Sequence, residues 1–228
     1  MPAMGNLSYI NYAITCCVGG ILSIRSGDLE PLHEAIDNLY KLTSEESTQA
    51  TRIVIISSLA GGTGSGLILP VSMYIKNYLV TMNNRSASVI RGFFLLPEVM
   101  HSVIKSESER NNLYCNAYAT LREIDAFMQK AFGTLDKRYD DLRFEVPKAG
   151  SPDEVDVYDE APFDFCFLFS RDNIESEKMK SKDDLLAHAA NCIYAQSIGP
   201  TNSRQNSSED NTIRERVKSH GRNNYCGA

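Results

Sequence analysis

The stretch Ala60-Gly61-Gly62-Thr63-Gly64-Ser65-Gly66 carries more information than any other part of this chain. It follows the apolar run Ile53–Ile56 and precedes a second one, Leu67–Leu69. This order predicts a buried strand, a glycine-rich turn and a helix, which together bring several main-chain N–H groups around one point. Because free N–H groups and the positive end of a helix dipole attract anions, the stretch predicts a phosphate-binding loop.

The spacing of the glycines excludes two common phosphate loops. A Walker A loop needs Lys and Ser or Thr after its last glycine, and Leu67 and Ile68 occupy those positions. A dinucleotide fingerprint needs glycine at its first, third and sixth positions. From Gly61 the third position is Thr63, and from Gly62 or Gly64 the sixth position is a leucine. A glycine-rich turn without a ligand is the remaining alternative.

Every position of the stretch matches the signature loop of the tubulin/FtsZ family, a small residue followed by Gly-Gly-Thr-Gly-(Ser/Ala)-Gly. Two further segments, Leu96-Pro97-Glu98 and Asn116-Ala117-Tyr118-Ala119, resemble the divergent prokaryotic tubulin-like proteins. The resemblance covers roughly residues 19–228. It implies an α/β fold, a three-layer Rossmann-like parallel sheet with helices on both faces, which forms an incomplete nucleotide-binding domain.

The apolar patterns along the chain agree with such a fold, because strand and helix signals alternate. The continuous apolar runs predict buried parallel strands at Ile53–Leu59, Val89–Leu96 and Phe165–Phe169. Helical spacing predicts helices at Leu29–Leu42, Leu67–Leu79, Glu109–Met128 and Asp183–Gln196. The charged segment 137–160 contains two prolines and is predicted to be an exposed connection.

The resemblance implies how the chain would hold the phosphates of GTP or GDP. Main-chain N–H groups of the glycine loop would bind them, and Thr63 and Ser65 would add hydroxyl donors. The residues expected to line this part of the site are Ala60, Gly61, Gly62, Thr63, Gly64, Ser65 and Gly66. Glu109 and Arg110, with Glu107 as a second choice, would reach the ribose and phosphates. A solvated, charged start of a helix is the alternative explanation for these three residues.

The resemblance also implies residues for the base. Asn173, in the pair Asp172-Asn173 after the third strand, would contact guanine. Asp183 or Asp184, at the start of the next helix, would accept hydrogen bonds from the base and favour GTP over ATP. An Asx turn would explain the first pair equally well, and acids that complement the helix dipole would explain the second.

Catalysis in this family occurs between subunits that associate head to tail, where an acidic loop orients water against the γ-phosphate. Asp210, or alternatively Glu209, is the candidate, and Mg²⁺ is the expected accompanying ion. A polar linker is the alternative reading of this segment. The chain is therefore expected to be a filament-forming GTPase, or a fragment of one. The competing hypothesis is a tubulin-like scaffold without turnover.

The resemblance divides the chain into a partial GTP-binding domain, residues 1–200, and an acidic loop with the start of a second domain, residues 201–228. Composition adds several expected absences. The net charge of −6 and the lack of a basic stripe argue against nucleic-acid binding. Glycines and Pro70 interrupt the uncharged stretch 53–75, so no membrane span is expected. Without a signal peptide or a C-x-x-C pair, the chain is expected to be cytoplasmic, with reduced, buried thiols and no metal site.

Overall fold

The computed structural model describes residues 52–83, 89–131, 133, 135–139, 141–148, 151–158, 161–171, 179, 181–197 and 225–227. The helix expected at 29–42 lies outside the described residues. Within them, strands and α-helices follow in the order β1 (Arg52–Ser58), α1 (Gly62–Asn83), β2 (Val89–Leu95), α2 (Glu107–Ala131), β3 (Phe144–Lys148), β4 (Ser151–Tyr158), β5 (Phe165–Phe169), α3 (Lys182–Ser197) and β6 (Tyr225–Gly227). A 3₁₀ turn, Pro97–Met100, follows β2.

Four of the strands form one sheet in the order β1-β2-β5-β6, and every pair in it is parallel. Ile56 of β1 lies opposite Phe93 of β2, and Phe93 in turn lies opposite Phe167 of β5. Strand β2 lies between two neighbours and is buried along nearly its whole length. The buried parallel strand predicted from the apolar run Val89–Leu96 is therefore confirmed. The run Ile53–Leu59 also forms a parallel strand, but β1 is only partly buried and Ile56 is 58% exposed.

The sheet is covered by helices on both faces. Consecutive strand residues point to opposite faces, so Phe94 and Phe93 enter two different apolar clusters. The Phe94 cluster contains residues of α1 and α2, among them Met73 and Ile124. The Phe93 cluster contains residues of the 3₁₀ turn and of α3, among them Leu185. This arrangement confirms the predicted three-layer α/β class.

Helix α1 begins earlier than its apolar pattern predicts. It starts at Gly62 rather than Leu67, so the glycine segment is the first turn of the helix and not a separate loop. Glycine is intrinsically unfavourable in a helix, but close packing of this turn on β1 offsets that preference. Pro70, expected in the first turn, consequently lies in the third, where it removes the N–H that would bond to the Gly66 carbonyl.

The segment predicted to be an exposed connection contains an antiparallel hairpin, β3–β4, with a register shift between Pro147 and Lys148. Its charges suggested a loop, but its apolar side chains anchor it to the core. The ring of Phe144 meets that of Phe127 edge-on at a centroid distance of 6.3 Å. The Lys130 ammonium also donates to the Leu142 carbonyl. The prediction of a connection without regular structure was therefore wrong for residues 144–148 and 151–158.

Strand β6, which the sequence analysis assigned to the start of a second domain, pairs with β5 in the main sheet. Cys226 lies opposite Phe167 in this pairing. The division of the chain at residue 200 stays a prediction.

Candidate anion-binding site

The start of α1 presents main-chain donors that the helix does not use. Its first helical hydrogen bond runs from the Ser65 N–H to the Gly61 carbonyl, at 3.0 Å. The N–H groups of Gly62, Thr63 and Gly64 precede that bond and have no acceptor within the helix. Gly61 and Thr63 are both exposed. This turn therefore offers an accessible, positively polarised helix end to an anion.

The two sides of this turn differ in the room they leave. A Cβ built on Gly61 would meet no heavy atom within 4 Å. A Cβ built on Gly64 would collide with the Ser58 carbonyl oxygen and would lie 2.6 Å from the Ser57 Oγ. Gly64 is therefore required for close approach to β1, whereas the backbone around Gly61 borders open space. Among the described residues, no side chain lies within 4 Å of a Cβ built on Gly61.

The two hydroxyl groups of the turn have different surroundings. Ser65 is 4% exposed, and its Oγ donates to the Gly62 carbonyl at 3.2 Å. A hydroxyl has one proton to donate, so this bond takes the one that was expected to reach a phosphate. Thr63, by contrast, is exposed.

Side chains of helix α2 form hydrogen bonds to the backbone of the turn. The Asn116 side-chain amide donates to the Ala60 carbonyl at 3.1 Å. The Thr120 hydroxyl donates to the Asn116 carbonyl at 2.9 Å and also lies 3.4 Å from the Ser65 carbonyl. Neither residue was assigned a role from the sequence. Asn116 lies in a segment that resembles the tubulin-like proteins, but a motif does not reveal which backbone atom its amide contacts.

The charged residues at the start of α2 lie about two helical turns before Asn116. Glu109 is exposed and precedes Asn116 by seven residues, which is about 10 Å along the helix axis. Arg110 donates from Nε to the Ile104 carbonyl at 2.8 Å and from Nη2 to the Lys105 carbonyl at 3.0 Å. Arg110 thus closes the turn that leads into α2. Glu107 is the first residue of α2 and is exposed.

The carboxyl ends of three adjacent strands are hydrogen-bonded together at the end of the sheet where the turn lies. The Leu59 N–H donates to the Leu95 carbonyl at 3.1 Å, and the Leu96 N–H donates to the Phe169 carbonyl at 3.0 Å. The carboxyl ends of β1, β2 and β5 are therefore held side by side. In open parallel sheets, ligands bind at this edge.

A small cleft opens at the same edge, between the 3₁₀ turn, the end of β5 and the start of α3. Its lining comprises Glu98, Val99, Ser102, Arg171, Ser181, Lys182 and Leu185. The Arg171 guanidinium donates from Nε to the Met179 carbonyl, and the Met179 N–H donates to the Arg171 carbonyl, both at 3.0 Å. Asn173, between these two residues, lies outside the described residues.

The start of α3 is stabilised by a reciprocal cap. The Asp184 N–H donates to the Ser181 Oγ at 3.1 Å, and the Ser181 N–H donates to the Asp184 Oδ2 at 3.0 Å. Asp183 and Asp184 are both exposed in this first turn, and of the two Asp184 is the one that caps the helix. Asp210 and Glu209, the candidate catalytic acids, lie outside the described residues.

Comparison with known proteins identifies the family. A family model described as tubulin-like matches residues 20–228. The chain therefore belongs to the tubulin-like family, in agreement with its parallel sheet and with the glycine turn at the end of β1. No curated protein and no solved structure matches the chain. Among the described helices, none has the length and apolarity needed to cross a membrane.

Proposed function

We propose that this chain binds GTP and GDP at the edge formed by the glycine turn and the start of α3. It acts there as a GTP-hydrolysing protomer of a head-to-tail filament, or as a part of such a protomer. The cytoplasm is its proposed location. The chain's membership of the tubulin-like family supports the choice of ligand.

The single observation that carries the proposal is the open start of α1. The N–H groups of Gly62, Thr63 and Gly64 have no acceptor within the helix. Gly61, which precedes them, is exposed, and Gly64 packs tightly on β1. Such a turn suits phosphate oxygens, because the donors are fixed in place and the part of the chain that the structure describes leaves space beside Gly61. No lysine is present in the turn, so main-chain dipoles supply the attraction.

The nucleotide is proposed to run along the strand ends, from the glycine turn towards the cleft. Asp183, at the start of α3, and Asn173 are the proposed base contacts, with Glu109 reaching the ribose. Among the described residues, no group of three or more metal-ligating side chains converges. Mg²⁺ is therefore proposed to be held through the phosphate oxygens, in keeping with its habit of bridging substrate phosphates.

Calorimetric titration of the chain with GTP, GDP and ATP tests the binding proposal. GTP and GDP should bind, and ATP should bind more weakly. Gly61→Asp would place a carboxylate at the open side of the turn and should weaken binding of GTP by at least tenfold, because like charges repel. Tighter binding of ATP than GTP, or an unchanged affinity in this variant, would contradict the proposal.

The competing function is a tubulin-like scaffold that binds nucleotide without turnover. The sequence feature that favours it is that the segment around Asp210 lacks a clear match to the family's usual spacing of acids. Phosphate release measured on the wild type, on Asp210→Ala and on the neighbouring control Asn211→Ala separates the two. Release that falls only in Asp210→Ala supports hydrolysis, whereas nucleotide binding with no release in any variant supports the scaffold.

A further inference from the structure

The side chain of Asn116 acts on the glycine turn through a single peptide group. Its Nδ2 donates to the Ala60 carbonyl at 3.1 Å, across 56 positions of sequence. Ala60 is completely buried, and Gly61, the next residue, is exposed. The bond therefore fixes the peptide group that lies at the boundary between the core and the open side of the turn.

The orientation of that peptide determines where the Gly61 N–H points. No described peptide bond is cis, and in a planar trans peptide the C=O and N–H point in opposite directions. Since Asn116 holds the Ala60 carbonyl towards α2, the Gly61 N–H must point away from α2. This direction adds a fourth main-chain donor to those of Gly62, Thr63 and Gly64.

Without the amide of Asn116, this peptide could rotate. Glycine accepts a wide range of φ, so Gly61 permits the coupled rotation at Ala60 and Gly61 that would turn this peptide over. A rotated peptide would present a carbonyl oxygen where the N–H had been. That oxygen would repel a phosphate, and the Ala60 carbonyl would lose its side-chain donor.

We infer that Asn116 is a positioning residue, which latches the Ala60–Gly61 peptide with its N–H directed to the anion. The inference rests on the proposed nucleotide binding and goes beyond it, because it names a residue that touches no ligand yet sets affinity for the phosphates. The latch acts on the phosphate part of a nucleotide and not on the base.

Titration calorimetry with GTP, GDP and guanosine tests the latch. In Asn116→Ala and in Asn116→Leu, which keeps the shape of the side chain without its donor, Kd for GTP and GDP should rise about tenfold, the effect of one lost hydrogen bond. Kd for guanosine, which has no phosphate, should stay within about twofold of the wild-type value. Asn111→Ala, at an exposed asparagine of the same helix, is the matched control and should change none of the three.

The outcomes separate the latch from the proposed function. A wild-type chain without affinity for GTP would overturn both. A wild-type chain that binds GTP, with both Asn116 variants binding it equally well, would overturn the latch alone. An equal loss of guanosine and GTP binding, or loss of the folded state in both variants by circular dichroism, would show a general structural role and would also overturn it.

Discussion

Two glycines of the same turn serve different purposes, although the sequence does not distinguish them. Gly64 is needed because β1 lies against it, and Gly61 borders open space. Packing explains the glycine at position 64. At position 61 no contact among the described residues requires glycine, and its absent side chain leaves the main chain open to a ligand. Substitutions at these two positions should separate stability from binding.

Gly64→Ala should lower the free energy of unfolding by about 1–3 kcal/mol, because the added methyl group must displace the backbone at Ser58. Gly61→Ala should change it by no more than about 0.5 kcal/mol, since its methyl group meets no atom. Urea denaturation measures both values. Equal destabilisation by the two variants would contradict the packing described for β1 and α1.

The described cysteines should differ in their reactivity as thiols. Cys115 is exposed, contrary to the expectation of buried thiols, and Cys166 is buried. Burial raises the pKa of the Cys192 thiol, so less of it is the reactive thiolate at a given pH. With iodoacetamide at pH 8, Cys115 should be alkylated first, Cys192 later and Cys166 only after unfolding.

Peptide mapping by mass spectrometry assigns each site. Raising the pH should speed alkylation of Cys192, because the fraction of thiolate grows until the pH passes the raised pKa. Modification of Cys166 in the native protein at the rate of Cys115 would contradict the buried position of β5.

At the scale of the elements, the first turn of α3 contains two exposed acids, of which one caps the helix. Ser181 and Asp184 bond to each other's main chain, whereas Asp183 takes no part in this cap. Neighbouring carboxylates of this kind look identical in the sequence. The structure makes Asp183 the better candidate for a ligand contact.

Ser181→Ala should lower the free energy of unfolding by about 1 kcal/mol, the usual effect of losing an N-cap. Asp183→Ala should change stability by no more than about 0.5 kcal/mol but should weaken GTP relative to ATP. Thermal melts and nucleotide titrations of both variants measure these effects. A loss of GTP preference in Ser181→Ala, with none in Asp183→Ala, would reverse the two assignments.

Elements were predictable from the sequence where the apolar pattern is continuous. The strand predicted at Phe165–Phe169 coincides with β5, and the strand predicted at Val89–Leu96 differs from β2 by one residue. Predictions were wrong where tertiary packing outweighs local preference. Contact with β1 extends α1 through five residues of which three are glycine, and the anchoring of Phe144 stabilises a hairpin rich in charge.

The candidate site was predictable only in part. The glycine turn is local in sequence, so its residues could be named together before the fold was known. Asn116 could not be given its role, because the bond to Ala60 depends on how α2 packs against the end of β1. The same holds for Arg110, whose donors turn back to the carbonyls of residues 104 and 105.

At the scale of the whole molecule, the described residues form a main sheet, with β2 buried inside it, and a separate, peripheral hairpin. Strand β2 is covered on both faces and paired on both edges, while β3 and β4 pair only with each other. A two-stranded hairpin has little stability of its own. The two regions should therefore open with different free energies.

Hydrogen–deuterium exchange should be slowest at the amides of β2 and faster in β3–β4, where local opening exposes the main chain without unfolding the sheet. Mass spectrometry of peptides that cover residues 89–95 and 144–158 measures the difference. Equal protection of the two peptides would show that the hairpin belongs to the central cooperative unit.

The two hydrogen bonds that join Leu59 to Leu95 and Leu96 to Phe169 also limit how the proposed nucleotide could change the structure of the sheet. They hold the three strand ends in register, so the proposed exchange of GTP for GDP should leave the sheet unchanged. We expect any structural difference between the triphosphate and diphosphate forms in segments that flank these strand ends, and the two forms should superpose closely through the sheet.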